Sequence, residues 1–228
     1  RARRPATCGP PTAPATGSRV SQLLARLDQV KRIGPVAISP DGLHVAWLLQ
    51  GKQPTIQLTD IAGHHAQALN TGTELAGCAK RDIAWAPDSQ EIAFIADCGH
   101  DLTNTQAVHN DIYLVGIDNK TAPRRLAELS GYARALAWTK DGRSLDFLYV
   151  SGATRLANAV AAGKARVGVI GEGDLELQRV GSIDVASGTL RTLTADTLYV
   201  YEFERSPDGT QIAYTAAPPP GDGNWWVA

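Results

Sequence analysis

The sequence predicts an all-β fold: a β-propeller of four-stranded antiparallel blades, about four of them in an incomplete ring, with a short N-terminal helix. Three observations predict it. A turn motif occurs four times, as Ala37-Ile-Ser-Pro-Asp-Gly42, Ala84-Trp-Ala-Pro-Asp-Ser89, Ala137-Trp-Thr-Lys-Asp-Gly142 and Glu204-Arg-Ser-Pro-Asp-Gly209. Each copy leads into a run of branched, small and aromatic residues: Val45-Ala-Trp47, Ile92-Ala-Phe94, Leu145-Asp-Phe147 and Ile212-Ala-Tyr214. A second strand-and-turn element follows downstream, as Leu58-Thr-Asp-Ile-Ala-Gly63, Leu114-Val-Gly-Ile-Asp-Asn119 and Ser182-Ile-Asp-Val-Ala-Ser-Gly188. One tight turn and about four short strands per unit is the content of a propeller blade.

From the N-terminus, residues 1–17 are rich in Pro, Ala, Arg and Thr without periodicity, which predicts a disordered tail. In 18–32, Val20, Leu23, Leu24, Leu27 and Val30 recur at three- and four-residue steps, the stripe of an amphipathic helix expected to pack on the first blade. The remainder, 33–228, divides into blades near 33–75, 76–128, 129–195 and an incomplete 196–228. Turn to turn, the motifs lie 47, 53 and 67 residues apart, so the surplus over a blade repeat of about 40–50 residues falls into inserts. One is the polar stretch Asp97 to Asp111. The other is Gly152 to Gln178, where Ala153 to Ala162 is suited to a short helix before the glycine-rich Gly168 to Gly173.

In the turns, Pro40, Pro87 and Pro207 preset φ for the first corner, Asp41, Asp88, Asp141 and Asp208 can accept nearby backbone N–H groups, and Gly42, Gly142 and Gly209 take a positive φ. Lys140 and Ser89 each depart from this pattern. The strands after the turns are apolar on both faces, as sheets covered on each side must be, and the central small residue permits close stacking. Asp146 breaks that rule in the third copy. Trp47, Trp85 and Trp138 fall at recurring strand positions and read as blade core. Trp225 and Trp226 belong to a strand, Asn224-Trp-Trp-Val-Ala228, in which the chain stops, so further chain is expected. With Arg1 first and no methionine, a missing N-terminus is expected too.

Lys and Arg number 22 against 23 Asp and Glu, a formal charge of −1 that leaves no footprint for nucleic acid. No stretch reaches the roughly 18–20 apolar residues of a membrane span, and no membrane partner is expected. Cys78 and Cys98 lie ten residues either side of Asp88 and would face each other in a regular hairpin. A disulfide suiting a periplasmic or secreted protein and a pair of reduced buried thiols are both open, and a bulge would shift the register. Cys78, Cys98, His100 and His109 are ligand types near one insert, but their spacing fits no zinc pattern, so no metal or cofactor is expected. His64 and His65 read as surface residues in a turn, and His44 as the exposed start of a strand.

The array with Ile33-Gly-Pro-Val-Ala-Ile-Ser-Pro-Asp-Gly42, the insert around Val169-Ile-Gly-Glu-Gly-Asp174 and the terminal Asn224-Trp-Trp-Val-Ala228 resembles the amino-terminal propeller of prolyl oligopeptidase family serine peptidases, in their dipeptidyl and acylaminoacyl peptidase branches. The resemblance implies an α/β-hydrolase domain following in sequence, with a Ser-Asp-His triad, and a propeller that caps the site and restricts it to oligopeptides. No Gly-x-Ser-x-Gly elbow occurs in the chain; the nearest approach, Gly142-Arg-Ser-Leu-Asp146, lacks the last glycine and lies on a repeat turn, so no catalytic residue is assigned. The dipeptidyl branch binds a substrate amine with adjacent glutamates. Here Glu202 and Glu204 share one strand face and Glu172 and Glu176 flank a loop, which makes these four the candidates for substrate contact, with solvated surface carboxylates as the plainer reading. A protein-binding propeller resembling those of the Tol system or the WD-repeat scaffolds is the alternative.

Overall fold

The computed structural model describes residues 19–27, 30–98, 110–153 and 176–218. These form one helix and fourteen strands, all paired antiparallel with their sequence neighbours. The first sheet contains β1 (Arg32–Ile38), β2 (His44–Gln50), β3 (Thr55–Asp60) and β4 (Gln67–Ala68). The second contains β5 (Ala79–Trp85), β6 (Glu91–Asp97), β7 (Asp111–Gly116) and β8 (Arg124–Ala127), and the third β9 (Gly131–Trp138), β10 (Ser144–Ser151), β11 (Gln178–Asp184) and β12 (Leu190–Thr192). The fourth has two described strands, β13 (Tyr199–Arg205) and β14 (Ile212–Ala217). The closest packing between sheets always involves a first strand, β5, β9 or β13, against the preceding sheet. The sheets therefore stack in chain order, face on face, as propeller blades do.

Each turn is built as the sequence pattern requires. Ser39 Oγ donates to the Asp41 carboxylate, which accepts Leu43 N at 2.9 Å, while Ser39 Oγ accepts His44 N at 2.9 Å. Thr139 with Asp141 and Ser206 with Asp208 repeat the arrangement. The two departures serve the seams between sheets. Ser89 adopts the glycine conformation, φ 61°, and its buried hydroxyl accepts Asp41 N of the first turn at 3.1 Å. Lys140 Nζ donates to Pro207 O of the fourth turn at 3.2 Å.

The first seam buries Leu48, Ile56, Leu58, Leu69, Leu75, Trp85 and Phe94, and the second Ile95, Leu114, Leu145, Phe147 and Ile183 among others. Burying one such side chain contributes about 1.5–3 kcal/mol, so these two seams, with a smaller third of Leu148, Val180 and Val200, hold the four sheets together. Two tryptophans also fasten it: Trp85 Nε1 donates to Ala37 O and Trp138 Nε1 to Ala84 O, each at 3.1 Å and each reaching the same position one sheet back. In the fourth sheet Arg205 takes the tryptophan position, and its guanidinium donates to Asp146, the residue that replaced the central alanine in the third. Asp146 is thus a matched exchange rather than a defect in the repeat.

The helix α1 (Arg19–Leu27) differs from expectation. None of its residues is buried, and Val20, Leu23 and Leu24 are all more than half exposed. The stripe formed but stays uncovered, and Leu27 at the helix end lines a cleft with Arg32, Gln50 and Arg81. The outer face of the first sheet is likewise open, with Val36 and Ile38 about 60% exposed where Ile83 and Trp85 of the second sheet pack inward.

Candidate functional site

Polar groups gather where the first strands begin. Each of these strands is bulged, two residues there facing one on its partner or an extra residue intervening. Counting three back from Ile38, Trp85, Trp138 and Arg205 gives Pro35, Asp82, Ala135 and Glu202; the first three lie in their bulges, whereas Glu202 pairs with Thr215 and the bulged residue of the fourth strand is Tyr201. Asp82 and Ala135 have φ of 48° and 57°, a left-handed conformation that side chains other than glycine seldom adopt. The Ala135 N–H donates to the Asp82 carboxylate, one bulge capping the next. Burial pushes the Asp82 carboxyl above the usual aspartate range, and that hydrogen bond with the Arg81 and Arg134 charges only partly offsets it.

The arginines one residue earlier are equivalent as well. Arg81 donates to Asn110 Oδ1 at 2.7 Å and lies over the Tyr132 ring at 4.9 Å, with Asp97 3.9 Å away. Arg134 donates from Nε to Gln178 Oε1 at 3.0 Å and from Nη2 to Tyr201 O at 3.1 Å. The two amides then cross the seams: Asn110 Oδ1 accepts Ala133 N at 3.0 Å, and Gln178 Nε2 donates to Val200 O at 2.7 Å. At the first seam the matching residue is Pro54, which has no side-chain amide, and its carbonyl accepts from Lys80 Nζ at 2.9 Å. Lys80 is buried, held also by Leu75 O at 2.6 Å and Cys78 O at 3.4 Å, and burial lowers its pKa. This rim can recognise charge and hydrogen-bonding groups. Among the described residues no serine or cysteine side chain is bonded to an imidazole, so the rim holds no assembled nucleophile and base.

Of the sequence candidates, Glu202 and Glu204 do lie together on one face of β13, both exposed, with Thr215 Oγ1 donating to Glu202 at 3.0 Å. Glu176 is half-buried just before β11, and Glu172 lies outside the described residues. The structure therefore brings two of the four together. Ser144 opens β10, its N–H bonded within the turn, as a repeat turn demands. His64 and His65 are exposed, whereas His44 is half-buried beside Trp85, ring centres 6.3 Å apart.

Cys78 and Cys98 form a disulfide. Here the bulge acts opposite to expectation. Next to the turn Trp85 pairs with Ile92 and Ala84 with Ala93, a frame in which Cys78 would face one residue past Cys98. The bulge between Arg81 and Ala84 shifts the ladder by one, so that Ala79 pairs with Asp97 and the cysteines meet. His100, His109, Cys8, Trp225, Trp226 and the stretch from 154 to 175 lie outside the described residues. Arg81, Asp82, Arg134, Asn110, Gln178 and Lys80 were not singled out by the sequence reading, although Arg81-Asp-Ile-Ala-Trp85 and Arg134-Ala-Leu-Ala-Trp138 extend the repeat upstream and mark both arginines.

No protein-family model matches the sequence, and no curated protein matches it in sequence. Solved structures do resemble the fold. The putative TolB from Agrobacterium tumefaciens is 22% identical, with TM-score 0.53 over 81% of this chain and 53% of that one. TolB from Acinetobacter baumannii is 20% identical, with TM-score 0.54 over 83% of this chain and 39% of the other. The acylaminoacyl peptidase of Pyrococcus horikoshii is 11% identical, with TM-score 0.51 over 77% and 27%. This chain thus spans about half or less of each of these three proteins, and the likeness establishes the propeller-type fold.

Proposed function

We propose that this chain is the non-catalytic propeller portion of a serine peptidase, capping an active site carried by an α/β-hydrolase domain and restricting it to oligopeptides. The observation that supports this best is the row of bulged first strands. Asp82 lies in the bulge of β5 with Arg81 and Arg134 beside it, and Glu202 follows the bulge of β13, giving a rim that can sort peptides by charge without reacting with them. The propeller likeness to an acylaminoacyl peptidase agrees with it. The disulfide favours a periplasmic or secreted setting.

A protein-binding propeller is the second reading, favoured by the likeness to two TolB structures over more than four-fifths of the chain. The two are separated by treating native extracts with a fluorophosphonate that labels active serine hydrolases and recovering the polypeptide with antibody to this chain. A labelled polypeptide is expected, while the purified 228-residue chain turns over no chromogenic peptide. An unlabelled native polypeptide would rule out the cap and leave the binding module.

A further inference from the structure

The end of the first seam holds a cleft of about 420 Å³, within the range of small-ligand sites. Its lining includes the apolar residues Leu27, Val30 and Pro54. Arg32, Gln50 and Arg81 line it as well, and among the described residues no carboxylate does. Arg32 is exposed and has no partner there. Arg81 keeps a buried Nε with no acceptor, its other contacts being Asn110, Tyr132 and, at 3.9 Å, Asp97. Behind them lies the Lys80 ammonium, 2% exposed and held by three backbone carbonyls with no carboxylate partner. Arg32 and the desolvated Lys80 carry positive charge without a carboxylate partner, and with Arg81, shared with Asp97, they set a positive potential in a cleft that also has apolar lining.

We infer that this cleft binds a carboxylate attached to an apolar group, as at the C-terminal residue of a short peptide, with the carboxylate between Arg32 and Arg81 and the side chain against Leu27, Val30 and Pro54. Guanidinium groups match a carboxylate with paired N–H donors, the exposed Arg32 gains a partner, and the apolar lining residues gain cover. The inference does not rest on the peptidase reading, because it concerns binding by the chain itself.

Isothermal titration of the 228-residue chain with acetyl-alanyl-alanyl-leucine tests it, against the same peptide amidated at its C-terminus. The free acid is expected to bind at least about tenfold more tightly, and Arg32→Ala, an exposed change that leaves the seam intact, to remove most of that difference. Raising the salt concentration should weaken the acid and leave the amide unaffected. A third probe, acetyl-aspartyl-leucine amide, separates the sources: binding as tight as the acid assigns the cleft to acidic side chains, and weak binding assigns it to free C-termini. Equal affinity for acid and amide, no heat at millimolar peptide, or an unchanged Kd in Arg32→Ala would each overturn the assignment.

Discussion

Replacing Arg205 by alanine is expected to damage the array far more than replacing its partner Asp146, though each change removes the same ion pair. Asp146 is 1% exposed and Arg205 about a fifth exposed, with Nε 2.8 Å from Oδ2. In Arg205→Ala the carboxylate stays buried in the third seam with Oδ1 already lacking a partner, and breaking a buried pair from that side costs about 3–5 kcal/mol. In Asp146→Ala the third sheet regains the alanine found at 46 and 93, and Arg205 keeps Gly209 O at 2.9 Å and some access to water. Lost charged hydrogen bonds are then partly offset by removal of the orphaned oxygen, a net cost of about 0–2 kcal/mol. The double change Asp146→Ala with Arg205→Trp restores the pattern of the first two seams, with an indole placed to donate to Ala137 O, and should lie within about 1 kcal/mol of the parent. Urea unfolding followed by tryptophan fluorescence and far-ultraviolet dichroism reads these differences. With m near about 2 kcal/mol/M, Arg205→Ala lowers the midpoint by about 1.5–2.5 M. Single variants of equal cost, or a double variant as unstable as Arg205→Ala, would refute the matched-exchange argument.

Four further outcomes are expected. Reducing the Cys78–Cys98 bond, which spans 20 residues, should cost about 3 kcal/mol, seen as a lower urea midpoint with reductant and an insensitive Cys78→Ser/Cys98→Ser variant. Hydrogen bonds from Ser39, Thr139 and Ser206 hold Asp41, Asp141 and Asp208 below the usual carboxylate range, Asp208 at about 2 against 3.8 unfolded. Such lowered groups bind protons less readily when folded, so their contribution is complete above the unfolded value of 3.8 and is lost as pH falls below it, for Asp208 towards about 2; a stability profile flat across that last window would contradict it. Asp82→Asn should be neutral or stabilising at pH 7, since burial opposes the ionised carboxyl while asparagine tolerates the left-handed backbone, and the difference should vanish in acid where Asp82 is itself protonated; a large loss of stability at pH 7 speaks against this. Trp138→Phe should cost about 1–2 kcal/mol through the hydrogen bond to Ala84 O and lost contact, with faster amide exchange at the second seam as the local readout.

What the sequence determined by itself is the local content of each sheet. Pro-Asp-Gly turns and the branched-small-aromatic runs after them fix hairpins over a few residues, where φ preferences and alternation act without reference to the rest of the chain. The departures Ser89, Lys140 and Asp146 were visible as departures, but their partners Asp41, Pro207 and Arg205 lie 48, 67 and 59 residues away, and nothing in the local pattern relates them. The bulges needed the folded sheet: a one-residue shift between Arg81 and Ala84 decides whether Cys78 meets Cys98 and whether Asp82 reaches Ala135. The rim of arginines and amides, and the cation-lined cleft beside the uncovered helix, exist only once sheets stack. Their geometry is set by contacts across seams, and such contacts depend on how whole faces pack rather than on what any one strand prefers.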